Sequence, residues 1–353
     1  MKATIHPYLL DFKNPAGTSR GVLRTKESFF LRIEDSDSKY GIGIGEVGIL
    51  RGLSVDDVPE LEEQLDWTAA NIHLGLEELY ACNRAFPSIQ FALEQAFSHL
   101  KNGYHHFETP FSRGEQGQSI NGLIWMGSKD FMMDQIQSRL EEGFSTLKMK
   151  VGAISWADEW ALLQGIRERF SASELILRVD ANGAFDRLNV LPVLDALASV
   201  EVHSIEQPLP TSDRKGLAEL CAKSPIAVAL DESLIGVFTK AEKDLLLATV
   251  RPQYIILKPS FIGGWKGADE WIDCAAAHHI GWWATSALES TVGMNAIAQW
   301  TATKGIEMPQ GLGTGSLYTN NIPGPLAVKE GALWMVENVQ THWSLPAPLN
   351  TFK

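Results

Sequence analysis

The spacing of apolar residues changes character twice along this chain. Residues 29–33 form an unbroken apolar, β-prone run. Residues 41–47 then alternate glycine with Ile42, Ile44 and Glu46, which predicts hairpin strands whose backbone is closely approached by a neighbour. Helix formers at helical spacing fill residues 55–79, and Pro87-Ser88 opens a further helix whose stripe is Ile89, Ala92, Leu93, Ala96 and Phe97. This first part reads as α+β.

After residues 109–118, rich in Gly, Ser and Gln, a short strand-like run alternates with a helical pattern. The strands are expected at 120–125, 146–151, 175–179, 203–205, 227–230, 254–257, 282–285 and near 308–312, and the helices at 130–140, 156–170, 189–197, 216–222, 239–247, 268–278 and 291–300. These make about eight βα units, the number that closes a parallel barrel. A leucine-rich solenoid would need a ladder of repeated leucine or asparagine, and none is present. The reading is therefore an α/β chain. Residues 1–115 form an α+β capping domain, 116–322 a (β/α) barrel carrying the catalysis, and 323–353 a proline-bearing segment packing back on the cap.

Composition narrows the partners. Asp and Glu number 43 against 30 Lys and Arg, a net charge of −13, so nothing is available to displace counterions from nucleic acid or to hold an anionic lipid surface. No window approaches 18 consecutive apolar residues, and the start of the chain lacks the apolar run of a signal peptide. Three dispersed cysteines, Cys82, Cys221 and Cys274, read as reduced thiols of a cytoplasmic protein. The expected partner is a small molecule, with no nucleic acid and no membrane. A homo-oligomer is compatible with the sequence.

The chemistry lies at the strand ends. Asp180, Glu206, Asp231 and Lys258 each follow an expected strand and are separated by 26, 25 and 27 residues, one βα unit each time. Such positions fall together at the C-terminal mouth of a parallel barrel. One strand earlier, Lys148 and Lys150 flank Met149, and a spacing of two puts both on one face. A single Asp after a strand is more often a cap or turn residue, and an isolated Lys-x-Lys is more often a solvated edge. Charged strand ends in five successive units have no shared structural purpose. Three crowded carboxylates repel unless a cation joins them, and three oxygen ligands without His or Cys suit Mg²⁺, with Mn²⁺ as a substitute. A metal beside lysines points to abstraction of the proton α to a carboxylate, by a lysine whose pKa a neighbouring positive charge depresses.

Other positions carry less. His278 and His279 end a helix and suit its dipole. Trp265, Trp271, Trp282 and Trp283 belong in the barrel wall, although one facing the mouth could touch a cyclic substrate. Residues 311–316 carry three glycines but lack a dinucleotide-binding context, and their amides suit a carboxylate.

The motifs Lys148-Met149-Lys150, Asp180-Ala181-Asn182, Glu206-Gln207-Pro208, Asp231-Glu232-Ser233 and Lys258-Pro259-Ser260 resemble the muconate-lactonizing branch of the enolase superfamily, over most of the chain from Gly45-Glu46-Val47 onward. The resemblance implies an enolase-type barrel with an α+β cap completed by the C-terminal tail, and a lysine base with Mg²⁺, a property already known of that superfamily. It implies Asp180, Glu206 and Asp231 as metal ligands and Lys150 as the base. Lys258 would be the cation beside the enolate, Lys148 would tune Lys150, and Asn182 and Glu232 would support them. The stretch from Thr285 to Ser290, Gly293, Asn295 and the glycines at 311–315 are similar to a subgroup that eliminates water, syn, from 2-succinyl-6-hydroxy-2,4-cyclohexadiene-1-carboxylate in menaquinone biosynthesis. Ser286, Gly313, Thr314 and Gly315 would then face the succinyl group, and residues 16–20 would close over the mouth. Dipeptide epimerases of the branch carry an Asp-x-Asp where this chain has Gly313-Thr314-Gly315, so an α-amino group would find no partner. Racemisation of N-acylamino acids between Lys150 and Lys258, dipeptide epimerisation and, more remotely, a non-catalytic metal-binding scaffold are the competing readings.

Overall fold

Strands β1 (Lys2–Thr18), β2 (Gly21–Glu34) and β3 (Ile42–Val47) form an antiparallel sheet in sequence order. The computed structural model describes residues 1–18, 21–152, 155–336 and 343–345. Helices α1 (Leu61–Ala70), α2 (Leu76–Cys82) and α3 (Pro87–Asn102) follow, and α3 packs on the sheet. The close approach expected at the alternating glycines is real. A Cβ at Gly43 or Gly45 would sit 2.2 or 2.0 Å from the carbonyl oxygens of Ala96 and Ala92 on α3. Phe29, Leu31 and Ile33 then meet Ile89, Ala92, Leu93 and Ala96 in a core of their own.

Residues 55–79 are not one helix. The segment before α1 is turned back because the Asp56 carboxylate accepts hydrogen bonds from Ser88 N at 2.9 Å and Ser88 Oγ at 2.5 Å, serving the start of α3 instead. Gly75, with φ of +81°, then separates α1 from α2.

The seven barrel strands run parallel. After β4 (Gln118–Ser119) the order is β5 (Gly122–Ile124), α4 (Lys129–Glu141), β6 (Thr146–Lys150), α5 (Trp156–Arg169), β7 (Ile176–Asp180), α6 (Val190–Ser199), β8 (Ser204–Glu206) and α7 (Arg214–Lys223). It continues through β9 (Ala227–Leu230), α8 (Lys240–Val250), β10 (Tyr254–Leu257), a short α9 (Pro259–Ile262), α10 (Gly264–Ala277), β11 (Gly281–Ala284) and α11 (Thr291–Ala302). Strands β5 to β11 form one curled sheet in sequence order. Side-chain caps start many of the helices: Ser128, Ser155, Asp213, Thr239 and Ser290 each accept from an amide of the first turn.

The eighth strand, expected near 308–312, is reduced to a seam. Gln310 bridges to Ile120 and Gly311 to Thr285, so two residues join the β5 side of the sheet to its β11 side. Gln310 N donates to Ser119 O, its carbonyl accepts from Asn121 N, and its Oε1 accepts from Ala284 N.

The chain after the barrel forms a hairpin, β12 (Leu326–Lys329) and β13 (Ala332–Met335), which adds to β4 at the barrel entrance. Trp343 stacks edge-on against Tyr104 at 4.4 Å and packs near Phe30 and Ile44 of the cap. Residues 337–342 and 346–353, including Pro346 and Pro348, lie outside the described residues.

Cap and barrel meet at α3 and α10. Glu94 is buried and accepts from Trp265 N and Lys266 N at the start of α10. Burial outweighs those bonds and pushes its pKa up to about 8. A carboxyl whose folded pKa lies above its unfolded value binds more protons when folded, so stability falls as pH rises through that window. Glu94→Gln is expected to flatten the fall in melting temperature between pH 5 and about 8, seen by thermal scans of both proteins.

Candidate active site

The inward faces of five adjacent strands build the site. On β6, Leu147 and Met149 pack in the hydrophobic core while Lys148 and Lys150 take the other face. Lys150 pairs in register with Asp180 on β7, and Asp180 with Glu206 on β8. Asp231 and Lys258 follow directly on β9 and β10. One-unit spacing in sequence has become one level at the mouth.

The side chains interlock. Lys148 Nζ lies 3.0 Å from Asp180 Oδ2 and 2.5 Å from Glu206 Oε2. Lys150 Nζ lies 2.9 Å from the same Asp180 oxygen and donates to Asn182 Oδ1 at 2.6 Å. Asn182 Nδ2 donates in turn to Glu232 Oε1 at 2.8 Å, and Lys258 pairs with Asp231. Asn182 has a left-handed backbone, φ of +45°, which brings its amide back over Lys150, and asparagine tolerates that conformation well.

Burial would neutralise these groups one by one, and mutual charge decides which resist. Burial disfavours the Lys148 ammonium, but Asp180, Glu206 and Asp231 outweigh it and raise its pKa above the ordinary lysine value. Burial also disfavours charged Asp180, yet Lys148, Lys150 and Lys258 hold its carboxyl well below the usual range. Glu206 is pushed upward by burial and by Asp180, and Glu232 by burial and Asp231. Burial likewise opposes charge on Lys258, and Asp231 and Glu206 reverse the effect. Lys148 is therefore a fixed positive charge on the same strand face as Lys150.

The acids do not form a finished metal shell. Among the described residues no group of three or more His, Cys, Asp or Glu side chains is arranged to hold an ion. The lysine ammoniums lie against the carboxylates and satisfy part of their charge. The donor chemistry nevertheless fits a hard divalent cation. The acids supply only oxygen, and Glu206 Oε1 is buried without a hydrogen-bond partner in the described structure.

A cavity opens above this cluster, lined by Lys148, Lys150, Asp180, Asn182, Glu232 and Lys258. Leu23, Leu50, Arg51 and Leu53 reach it from the cap. Of the segment expected to close the mouth, residues 19 and 20 lie outside the described residues, and residues 16–18 end β1. The tryptophan at the cavity is Trp125, whereas Trp265, Trp271 and Trp283 are buried in the wall. His278 pairs with Asp244 at 2.8 Å, away from the mouth.

The residues expected on the succinyl side are mostly at the cavity. Ser286, Gly313 and Thr314 line the cavity, but Gly315 does not. The single hydroxyl proton of Ser286 goes to Glu289 Oε2 at 2.7 Å, while its oxygen accepts from Leu288 N and Thr314 Oγ1. A hydroxyl has one proton to give, so in this arrangement Ser286 cannot donate to a substrate carboxylate. Sequence reasoning also missed two supports. Gln207 accepts from Asp231 N and Ser233 N and so fixes the backbone of Asp231. Glu289 holds the wall at Ser286 from beneath. A polar Gln after the Glu206 strand end was the available signal for the first.

Residues 132–338 match the enolase C-terminal domain-like family, and the chain belongs to that family. Among its relatives, an o-succinylbenzoate synthase from Desulfotalea psychrophila is 45% identical, with 92% of this chain and 96% of the relative covered. An N-succinylamino acid racemase from Amycolatopsis is 26% identical over 90% of this chain and 88% of the racemase. The crystal structure of MenC from Desulfotalea psychrophila matches with a TM-score of 0.83 at 39% identity, covering 95% of this chain and 99% of that one. A dipeptide epimerase from Enterococcus faecalis, complexed with Mg and L-Leu-L-Tyr, shares the fold at a TM-score of 0.81 and 19% identity, covering 98% of this chain and 99% of the epimerase.

Proposed function

We propose that this chain is a cytoplasmic o-succinylbenzoate synthase of menaquinone biosynthesis, a Mg²⁺-dependent lyase that removes water, syn, from 2-succinyl-6-hydroxy-2,4-cyclohexadiene-1-carboxylate. The observation that carries the reading is the meeting of Lys148, Lys150 and Lys258 with Asp180, Glu206 and Asp231 in ion pairs at the cavity's lysines. The 45% identity to a synthase along nearly the whole chain supports the particular substrate. Residues 1–115 would serve as the cap and 116–322 as the catalytic barrel.

Asp180, Glu206 and Asp231 would hold the ion, with Mn²⁺ able to replace Mg²⁺. When bound, it supplies the positive charge that acidifies the proton α to the substrate carboxylate. Lys150, oriented by Asn182 Oδ1, would take that proton and return it to the leaving hydroxide, so the proton lost from carbon leaves in water. Lys258 stays protonated across the cavity and stabilises the enolate as a fixed cation. Lys148 keeps its charge beside Asp180 and Glu206 and stands on the same strand face as Lys150. Leu23, Leu50, Leu53 and Trp125 exclude water above the reacting carbon.

Purified protein with Mg²⁺ and the cyclohexadiene substrate should form o-succinylbenzoate, followed by absorbance. No product with either Mg²⁺ or Mn²⁺ rejects the assignment. Lys150 and Lys258 sit on strands separated by three others in the curled sheet, an arrangement that also allows two-sided proton exchange. Deuterium entering the α-carbon of an N-succinyl amino acid from heavy water would reveal racemase chemistry beside the synthase.

A further inference from the structure

Behind the cavity wall lies a buried polar network that the reaction does not use. It starts in the cap, where Lys26 donates to Ser28 Oγ at 2.9 Å and Ser28 donates to Glu46 Oε1 at 2.8 Å. Glu46 reaches across to the barrel, accepting from Ser290 N, Ser290 Oγ and Gly293 N at the first turn of α11. Next to Ser290, the Glu289 carboxylate accepts from Ser260 Oγ at 2.5 Å on one oxygen, and from Ser286 Oγ and Ala287 N, both at 2.7 Å, on the other. Lys26, Glu46, Ser260, Glu289 and Ser290 are all buried.

The segment that Glu289 holds is strained. Leu288 has a left-handed backbone with φ of +65°, a conformation that costs a leucine energy and persists only where the surroundings impose it. Three hydrogen bonds impose it here. Leu288 N donates to Ser286 Oγ, Tyr318 OH donates to Leu288 O, and Ala287 N is taken by Glu289. Ser286, Ala287 and Leu288 all line the cavity. Strain at a ligand-facing turn, fixed by a buried carboxylate from behind, is the pattern of a preorganised wall.

We propose that Glu289 is a positioning residue for substrate recognition. It holds the turn from Ser286 to Leu288 so that this turn meets the distal, succinyl-bearing part of the substrate with two apolar side chains, Ala287 and Leu288, and with a Ser286 hydroxyl whose proton is already committed to Glu289. The wall then recognises by shape, and the charge recognition of the reaction stays with the lysines on the floor. The cap adds to the hold from the other side, since a Cβ at Gly48 would lie 3.1 Å from Glu289 Cγ, 3.3 Å from Ser260 Oγ and 3.6 Å from Lys26 Nζ. The substrate named here rests on the proposed synthase activity, whereas the holding of the turn does not.

The test uses the full chain with Mg²⁺ and two readouts. In Glu289→Gln, KM for the cyclohexadiene substrate should rise about tenfold with kcat within about threefold of the parent, because Lys150 and the acids are untouched. Ser286→Ala should give the same split, and the double variant should be no worse than either single one, since both act through one contact. Gly48→Ala, which presses on Glu289 without removing a hydrogen bond, should shift KM in the same direction. Independently of any substrate, backbone hydrogen exchange across residues 285–290 should speed up at least tenfold in Glu289→Gln, with β6 to β10 unchanged. A lower melting temperature with KM unchanged would show a merely structural glutamate and overturn the proposal, as would unchanged exchange in that segment. Absence of turnover in the parent protein would sink the synthase reading alone, and the exchange result would still decide whether Glu289 holds the turn.

Discussion

Lys150→Ala should abolish dehydration, lowering kcat by at least about 10³-fold, while the protein stays folded and binds Mn²⁺ within a few fold of the parent. Lys150 is the lysine held by both Asp180 and Asn182, and the Asn182 contact is a short, directed hydrogen bond. Removing the ammonium leaves Asp180 with Lys148 still 3.0 Å away, so the carboxylate is not abandoned in the interior. The loss therefore falls on chemistry and not on the fold. Circular dichroism, Mn²⁺ titration and single-turnover kinetics check the three parts separately. Measurable turnover above about one part in a hundred would move the base elsewhere, with Lys258 the first alternative.

Glu206→Gln is the second large effect. Metal affinity should drop by about 100-fold or more, since altering residues that merely orient ligands already costs about 10- to 100-fold, and Glu206 offers its oxygen directly. The metal-free protein should keep its melting temperature to within a few degrees. Burial and the charge of Asp180 oppose ionisation of Glu206, so a neutral amide removes a repulsion while Lys148 retains Asp180 as its partner. Calorimetric Mg²⁺ titration and thermal scans in chelator distinguish the two quantities. Parent-like affinity would remove Glu206 from the ligand set.

Both predictions depend on residues legible in the sequence, and the reason is geometric. A parallel barrel repeats its level every βα unit, so Asp180, Glu206, Asp231 and Lys258 announce their common height through spacing alone. The close-packed β3 was legible for a similar reason, because glycine alternation is a local signal that a helix backbone lies against a strand. What escaped was non-local. The eighth strand shrank to Gln310 and Gly311 because partners from Ser119 to Ala284 satisfy it with few residues, which no periodicity reports. The bond from Ser286 to Glu289 was not legible either, because a hydroxyl's allegiance is decided by tertiary neighbours. The contact between Glu46 and Ser290 spans 244 positions, and nothing near either residue foretells the other. Residues 55–60 looked helical by propensity, but the demand of Ser88 for an acceptor overrode it.

The two-residue seam also fixes when this protein can first work. The Ile120 bridge and the Asn121 amide wait for Gln310, so a chain emerging from the ribosome carries all seven strands from β5 to β11 with nothing to fasten them into a ring. Bringing together ends so distant in the chain carries a loop-closure penalty that nearer pairings escape, which places this latch among the last contacts to form. Until then Gly313 and Thr314 have no wall to stand in, and a truncated translation product ending before residue 310 would be a charged, open half-cup without a chamber.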